Sequence, residues 1–223
     1  MIYPFPFDII NYIEFLNDEY LFYVNKKGYT GFINTVNEKQ SYIKKLNCKK
    51  IKSITSKTNT LTFGDIFGFI DLDIRSLKSK KVIFKESVCG LKWNDHLLST
   101  GTDDDNIIIW DDRKTFNPLY KFSDHSSSVK ALSWNPKNNN ILASGGGKDD
   151  KRIIIWDTSK GIKITEFLTK SQISGIEWNN EGNILVVSHG YNYYNISLYE
   201  FKNDNLYFVN TNECHNKRIL TFS

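Results

Sequence analysis

Three stretches of this chain repeat one pattern of apolar and polar positions, and each stretch ends in the pair Trp-Asn. Their sequences are SVCGLKWN, SVKALSWN and QISGIEWN, and their tryptophans are Trp93, Trp134 and Trp178. A short apolar run ending in small residues follows each stretch (LLSTG, ILASGGG, ILVVSHG). A polar turn or its equivalent comes next, and then an isoleucine-rich segment that ends in an aromatic residue (NIIIWD, RIIIWD, NISLYE). Short apolar and alternating segments separated by turns predict β-strands.

The period of the pattern indicates the architecture. The three tryptophans are 41 and 44 residues apart, and a period of about 40 residues with four strands is typical of β-propeller blades. Small and large residues alternate in the VxxLxW strands, as expected for strands that line a propeller channel. The continuous apolar IIIW strands suit burial on both faces. We therefore predict an all-β fold of WD-repeat propeller blades, with clear repeats over residues 87–213.

Two eroded repeats are predicted before the clear ones, over residues 8–85. Phe15 and Ser56 occupy the positions of the repeated tryptophan, which gives about five four-stranded blades. Residues 217–223 begin the first strand of a sixth blade. Because a propeller protects its strand edges by closing a ring, we expect residues 1–223 to be a partial propeller. An irregular five-bladed closure and a homodimer that pairs the open ends are the alternatives.

Composition argues against two classes of partner. The formal net charge is +4, but only 4 of the 29 basic residues are arginines, and they are not clustered. Nucleic-acid-binding proteins usually present clustered arginine and lysine, so we expect no nucleic-acid partner. The sequence has no run of about 18 apolar residues and no signal-peptide pattern, so we expect no membrane partner. Three widely spaced cysteines argue against a disulfide framework and favour an intracellular location.

One set of side chains resembles a catalytic triad. His125 lies in the sequence SDHSSS, and Ser144 and Asp150 follow in the same repeat. In WD-type repeats, however, a histidine before the first strand, a serine on the second, an aspartate in the next turn and a tryptophan on the third form a structural network. His125, Ser144, Asp150 and Trp156 fit those positions, and mutual hydrogen bonds would stabilise a blade. We interpret them as structural.

Two further motifs fail on their spacing. The GGGK sequence at 145–148 lacks the first glycine and the final serine or threonine of a phosphate-binding loop, and a strand follows it. The aspartates at 103–105 lack the later glycine and glutamate of an EF-hand. We therefore expect no metal, no cofactor and no enzymatic activity.

The order of the motifs resembles one family in particular. VCGLKW, VKALSWNP, LASGGG before a charged turn, SQIS and SHG occur in sequence. Together they resemble the Fizzy and Fizzy-related coactivators of the anaphase-promoting complex, strongly over about residues 86–190 and faintly over 8–85. The resemblance implies a seven-bladed propeller of which this chain covers part. It also implies that the destruction-box groove and the ligase-docking segments are not complete within these residues.

In that family, degron peptides with the sequence Lys-Glu-Asn bind the top of the propeller. By position, Gln172 matches the glutamine of the family, and Arg218 matches an arginine that would pair with the degron glutamate. Asp103 and Asp105 stand where the family typically has asparagines, and Lys148 stands where it has a threonine. The aspartates would attract the degron lysine and Lys148 would repel it. For all five residues the alternative is a solvated turn or loop without a binding role.

The leading hypothesis is therefore a coactivator that recruits substrates to the anaphase-promoting complex in the nucleus and cytoplasm. Its implied partners are subunits of that complex, degron-bearing substrates and checkpoint pseudosubstrate inhibitors. The second hypothesis is a WD-repeat scaffold for protein–protein interaction without degron recognition. The third is a degenerate fragment whose exposed strand edges would promote aggregation.

Overall fold

The computed structural model describes residues 10–15, 18–25, 29–37, 39–45, 50–73, 75–76, 78–114, 117–190 and 193–212. These residues form five four-stranded sheets, and their only helix is a 3-10 turn at Asp112–Lys114. The prediction of an all-β fold with four strands per repeat is confirmed. Residues 217–223, predicted to begin a sixth blade, lie outside the described residues. The chain divides into two compact units, Met1–Lys85 and Glu86–Ser223.

The first unit contains the two eroded repeats, each folded as an antiparallel meander in the order β1-β2-β3-β4 or β5-β6-β7-β8. Its core includes Phe22 and Val24 of the first sheet and Leu61 and Phe63 of the second, all with no solvent exposure. The strands are β1 (Ile10–Phe15), β2 (Tyr20–Asn25), β3 (Tyr29–Asn34), β4 (Gln40–Lys45), β5 (Ser53–Lys57), β6 (Thr60–Asp65), β7 (Gly68–Asp73) and β8 (Ser79–Ile83).

The second unit contains the three clear repeats, folded as three further meanders of four strands each. We refer to them as sheets C (β9–β12), D (β13–β16) and E (β17–β20). The strands are β9 (Val88–Asn94), β10 (Leu97–Thr102), β11 (Ile107–Asp111), β12 (Asn117–Phe122), β13 (Ala131–Trp134), β14 (Ile141–Gly145), β15 (Arg152–Asp157), β16 (Ile162–Leu168), β17 (Ile173–Trp178), β18 (Ile184–His189), β19 (Ile196–Lys202) and β20 (Asn205–Asn212).

All five sheets share one register. The predicted repeat positions lie on the first strands, and each pairs with a leucine on the second strand. The five pairs are Phe15–Leu21, Ser56–Leu61, Trp93–Leu98, Trp134–Leu142 and Trp178–Leu185. On the third strand the same leucines pair with Ile33, Leu72, Trp110, Trp156 and Tyr199. The eroded repeats therefore keep the register, although none of their four positions is a tryptophan and only Phe15 is aromatic.

The isoleucine-rich strand of sheet D is covered on both faces, as predicted. Because successive side chains of a strand point to opposite faces, Ile153 and Ile155 pack with residues of sheet E such as Leu185. Ile154 and Trp156 pack on the other side with Ile107, Ile109 and Phe122 of sheet C. Continuous apolar sequence is thus needed for a strand that lies between two neighbouring sheets.

The repeated tryptophans also join neighbouring sheets through polar bonds. The indole Nε1–H of Trp134 donates to the backbone carbonyl of Lys92 on β9 at 3.1 Å, and that of Trp178 donates to the carbonyl of Ser133 on β13 at 3.2 Å. Each acceptor is the residue just before the tryptophan of the preceding sheet. Each bond provides the indole N–H with an acceptor on the neighbouring sheet while the ring stays largely buried.

Two glycines, one on β9 and one on β10, allow sheet C to approach closely the segment that enters sheet D. A Cβ atom added to Gly101 would lie 2.1 Å from the carbonyl oxygen of Val129, and one added to Gly90 would lie 2.5 Å from that of Lys130. Both contacts are with backbone atoms, which cannot rotate away as a flexible side chain can. Glycine is therefore required where sheet C meets the chain entering sheet D.

The indole bond predicts a stability difference. Trp178→Phe keeps an aromatic ring but leaves the Ser133 carbonyl without its donor, which should lower the free energy of unfolding by about 1–3 kcal/mol. Urea unfolding followed by far-ultraviolet circular dichroism measures this. Tyr207→Phe, at a half-exposed position, is the control and should change stability by less than about 0.5 kcal/mol. Equal free energies of unfolding for the two variants would show that the indole bond does not stabilise the contact between the sheets.

Candidate functional site

One end of sheets C, D and E gathers most of the predicted site residues. In an antiparallel meander, the turn between the second and third strands lies at the same end as the segment that enters the first strand. Backbone bonds link these segments between neighbouring sheets: Val129 N–H donates to Thr102 C=O at 3.0 Å, and Ile173 N–H donates to Gly146 C=O at 3.1 Å. We call this end the loop face; it consists of residues 102–106, 126–130, 146–151, 169–172 and 189–190.

Four of the five predicted degron-binding residues lie on the loop face. Asp103 and Asp105 are in the turn of sheet C, Lys148 is in the turn of sheet D, and Gln172 is in the segment before β17. Asp103 and Lys148 are exposed, whereas Asp105 and Gln172 are half-buried. The bond from Ile173 to Gly146 brings Gln172 beside the glycine-rich turn that carries Lys148. Arg218 lies outside the described residues.

In the acidic turn of sheet C, the carboxylate of Asp105 is repelled by other carboxylates nearby. Burial raises the pKa of Asp105, and the neighbouring charges of Asp104, Asp150 and Asp149 raise it further, while His125 acts in the opposite direction. Burial is the larger cause, and the repulsion from the nearby carboxylates adds to it. A cation placed against Asp105 would relieve this repulsion, so the turn is suited to a positively charged group of a partner.

The four residues interpreted as a structural network are in contact inside sheet D. His125 Nδ1 lies 2.6 Å from Asp150 Oδ2, and His125 Nε2 lies 2.8 Å from Ser144 Oγ. The indole N–H of Trp156 donates to the same Ser144 Oγ at 2.8 Å. Ser144 is fully buried, and its hydroxyl is engaged by these two side chains and by the backbone carbonyl of Ile154 at 3.3 Å. This geometry stabilises the blade and does not expose a nucleophile to a substrate.

Two residues that the sequence analysis missed complete the network. Arg152 donates to Asp150 Oδ1 from both Nε and Nη2, at 2.8 and 2.6 Å, and Ser126 donates to the same oxygen from its backbone N–H and hydroxyl, both at 3.1 Å. Burial by itself raises the pKa of Asp150, but hydrogen bonds from His125 and Arg152 outweigh it and hold the pKa far below its ordinary value. The Asp-x-Arg spacing in the turn was the available sequence signal.

The glycine before this turn makes room for the carboxylate. A Cβ atom on Gly146 would overlap Asp150 Oδ2, so a side chain there would displace the aspartate from His125. The GGG sequence, which superficially suggests a phosphate loop, therefore serves close packing around the network.

The network is only partly present in the neighbouring sheets. In sheet C, Trp110 donates its indole N–H to Thr100 Oγ1 at 3.0 Å, and in the sequence the repeat has Phe84 where sheet D has His125. In sheet E, Val187 stands at the position equivalent to Ser144. Tyr199 stands at the position equivalent to Trp156, and Thr169 at the position equivalent to His125. Sheet D alone among the three carries the full set of four.

Metal and membrane sites were also considered. Within the described ranges, no group of three or more His, Cys, Asp or Glu side chains is arranged to hold a metal ion. In the same part of the chain, no helix has the length and apolar character needed to cross a bilayer.

Comparison with known proteins identifies the repeats. The WD domain, G-beta repeat family matches residues 116–157. The APC/C activator protein CDH1 of Saccharomyces cerevisiae is 38% identical over 117 residues, and Protein FIZZY-RELATED 3 of Arabidopsis thaliana is 35% identical over 125 residues. These matches cover 52% and 55% of this chain. The chain belongs to the Fizzy-related WD-repeat proteins.

A longer match and a solved structure extend the comparison. The B-type cell cycle switch protein ccs52A of Medicago truncatula is 30% identical over 185 residues, which is 76% of this chain. A chain in the crystal structure of a mitotic checkpoint complex superposes with a TM-score of 0.85 over 96% of this chain and 67% of that one, at 22% identity. This likeness shows the WD-repeat propeller fold. The chain spans only 20%, 26% and 39% of the three curated relatives named.

The Asp150 network predicts a pH-dependent stability. Because the pKa of Asp150 is lower in the folded than in the unfolded chain, the network stabilises the fold above about pH 4, and this contribution is lost as the pH falls below the unfolded value of about 3.9. Asp150→Asn should therefore cost about 3–5 kcal/mol at pH 7. The difference from the unsubstituted chain should shrink towards pH 3 (roughly one unit below the unfolded pKa).

Urea unfolding at several pH values measures the difference. Asp204→Asn, at an exposed turn position, is the matched control and should change stability little at any pH. A cost of Asp150→Asn that stayed constant over the whole pH range would contradict the ionised network.

Proposed function

We propose that this chain is the degron-recognition part of a coactivator that recruits substrates to the anaphase-promoting complex. The peptide with the sequence Lys-Glu-Asn would bind the loop face. The observation that carries the proposal is the meeting of Gln172, the glycine-rich turn and the acidic turn at one end of three sheets, in a chain of the Fizzy-related family. The role is one of binding rather than catalysis.

The charge of the acidic turn supports binding of the degron lysine. Asp103 is exposed, and Asp105 has a raised pKa among neighbouring carboxylates. An ammonium group beside the two side chains would be attracted by both and would offset the repulsion on Asp105 from Asp104, Asp149 and Asp150. Asparagines at these positions would offer only neutral hydrogen bonds, so the aspartates favour a stronger and more salt-dependent contact with lysine.

Gln172 and Arg218 supply the remaining specificity in this proposal. The amide of Gln172 can both donate and accept hydrogen bonds, which suits the asparagine side chain or the backbone of an extended peptide. An arginine at 218 would pair with the glutamate through two parallel bonds. Lys148 opposes the lysine of the peptide, but its exposed side chain can extend into solvent at little cost.

The proposed partners follow from the relatives. One relative is named an activator of the APC/C, and others are named Fizzy-related proteins. By analogy, we propose ligase subunits, degron-bearing substrates and checkpoint pseudosubstrate inhibitors as partners, in the nucleus and the cytoplasm.

A scaffold without degron recognition is the second candidate. The three charged substitutions at Asp103, Asp105 and Lys148 favour it, because they alter the chemistry of the turns relative to the family. Such a scaffold would keep the buried network of sheet D while its loop face bound other partners or none.

A peptide-binding measurement distinguishes the two candidates. Fluorescence anisotropy with a labelled Lys-Glu-Asn peptide should show saturable binding to the folded chain. Gln172→Ala should weaken it by roughly 3- to 10-fold, since a neutral hydrogen bond is lost, and Arg218→Ala by at least about tenfold, since a charged pair is lost. Asp103→Asn with Asp105→Asn should reduce the salt dependence of binding.

Two controls make the result specific. Asn139→Ala removes an exposed amide from the turn between β13 and β14, at the opposite end of sheet D, and should leave the affinity unchanged. A peptide with Ala-Ala-Ala in place of Lys-Glu-Asn should not bind. Equal binding of both peptides, or no binding to a chain with an intact far-ultraviolet spectrum, would favour the scaffold.

A further inference from the structure

Sheets D and E enclose a cavity that adjoins the loop face but is not lined by the predicted degron residues. Its volume is about 330 Å³, within the range of about 300–1,000 Å³ typical of ligand pockets. Phe167 at the end of β16 forms one wall, and Tyr199 and Phe208 of sheet E form the other. The base contains His189, at the end of β18, and Asn195, just before β19. We call this cavity the D–E pocket.

The repeat register explains why the D–E pocket exists. The space inside sheet D is filled by His125 and Trp156, whose equivalents in sheet E are the smaller Thr169 and Tyr199. The Thr169 hydroxyl lies 2.7 Å from the carbonyl oxygens of Lys151 and Ser171, so it does not extend into a network. Val187, at the position of Ser144, has no hydroxyl group. Loss of the structural network therefore leaves space between the two sheets.

Two side chains that line the pocket each carry a buried polar atom with no partner in the described part of the chain. These atoms are Nδ1 of His189 and Oδ1 of Asn195, in side chains that are only 3% and 8% exposed. The backbone N–H of His189 donates to the carbonyl of Asn195 at 3.0 Å, which holds the two residues together. Burial lowers the pKa of His189, so its ring is neutral at neutral pH. Unpaired buried polar groups cost free energy, and an occupant that bonds to them would recover it.

The aromatic residues and the charge of the lining restrict the chemistry of the occupant. Phe167 and Phe208 contact Tyr199 edge-on, with ring centroids 5.0 and 5.7 Å apart. Such walls accept a flat aromatic ring. The lining contains one lysine, Lys170, and no carboxylate, so a cationic group would be unfavourable. A neutral aromatic group that carries a hydrogen-bond donor satisfies all of these conditions.

The rim indicates that the occupant belongs to a polypeptide. Leu168, Tyr193 and Phe208 line the pocket and are 70%, 40% and 51% exposed, so apolar surface continues outwards from it. β20 is the last strand of sheet E in the described topology, and extended segments commonly associate with such edges. A peptide passing along this edge can insert one side chain into the pocket.

We propose that the D–E pocket binds a tyrosine or tryptophan side chain of a partner polypeptide. The aromatic ring packs against the cluster formed by Phe167, Tyr199 and Phe208, and its hydroxyl or indole N–H donates to Asn195 Oδ1 or His189 Nδ1. This site adjoins the loop-face segment that carries Gln172, but its lining includes neither Gln172 nor the acidic turn of sheet C, so the proposal does not rest on degron recognition.

Matched small probes test the chemistry directly. N-acetyltyrosinamide and N-acetylphenylalaninamide differ only by the hydroxyl, and N-acetyltryptophanamide supplies the indole donor. In nuclear magnetic resonance titrations of the chain, the tyrosine and tryptophan probes should bind about tenfold more tightly than the phenylalanine probe. Donor-dependent binding should shift the imidazole signals of His189. Equal affinities for the three probes, or no binding, would overturn the proposal and leave the cavity with a structural role alone.

Variants assign the binding to the pocket. Phe208→Ala removes a half-exposed wall and should weaken the tyrosine probe at least about fivefold, whereas Tyr207→Ala, the adjacent half-exposed residue outside the lining, should not. Asn195→Ala should abolish the preference for tyrosine over phenylalanine. Asn195 is buried, so Asn195→Ala could unfold the chain. In that case the half-exposed Phe208→Ala variant still tests the site. An unchanged affinity in Phe208→Ala would contradict the assignment, whatever the result with the degron peptide.

Discussion

A sheet that is apolar on both faces has to be covered on both faces, and the second unit is built around this constraint. Ile153 and Ile155 of β15 face sheet E, while Ile154 and Trp156 face sheet C. Burial of these side chains is the main favourable contribution to folding. It explains why the repeats are stacked in order and why a single four-stranded sheet of this sequence would expose a large apolar surface.

The constraint on the sheets leaves the turns of the loop face comparatively free. The indole bonds of Trp134 and Trp178 fix each sheet to the preceding one, and the glycines allow close approach. Residues such as Asp103 and Lys148 are exposed and make no contribution to the apolar core. Their charges can therefore change without loss of the fold, which is how a family can alter its ligand preference on one scaffold.

Much of the fold could be predicted from the sequence because the repeat is also a register. The spacing of Trp93, Trp134 and Trp178 predicted the first strands, and even Ser56 pairs with a leucine at the expected position. The contacts between sheets could not be predicted, because a sequence pattern does not identify the carbonyl that an indole reaches.

The network of sheet D could be predicted from the sequence, whereas the cavity between sheets D and E could not. His125, Ser144, Asp150 and Trp156 were found because they match a known pattern. Thr169 and Val187 do not match the network pattern and Tyr199 matches only its aromatic position, so the cavity created by their smaller side chains was not expected. The unpaired His189 and Asn195 are a property of packing between sheets D and E, and strand periodicity alone contains no information about it.

The proposed role of the loop face as a peptide-binding surface is tested most directly by photo-crosslinking of a benzophenone-bearing Lys-Glu-Asn peptide to the chain, with the modified residues located by mass spectrometry. We expect crosslinks within residues 102–106, 146–151 and 169–172. Crosslinks confined to the turns at the opposite end of the sheets, such as 135–140 and 179–183, would contradict it.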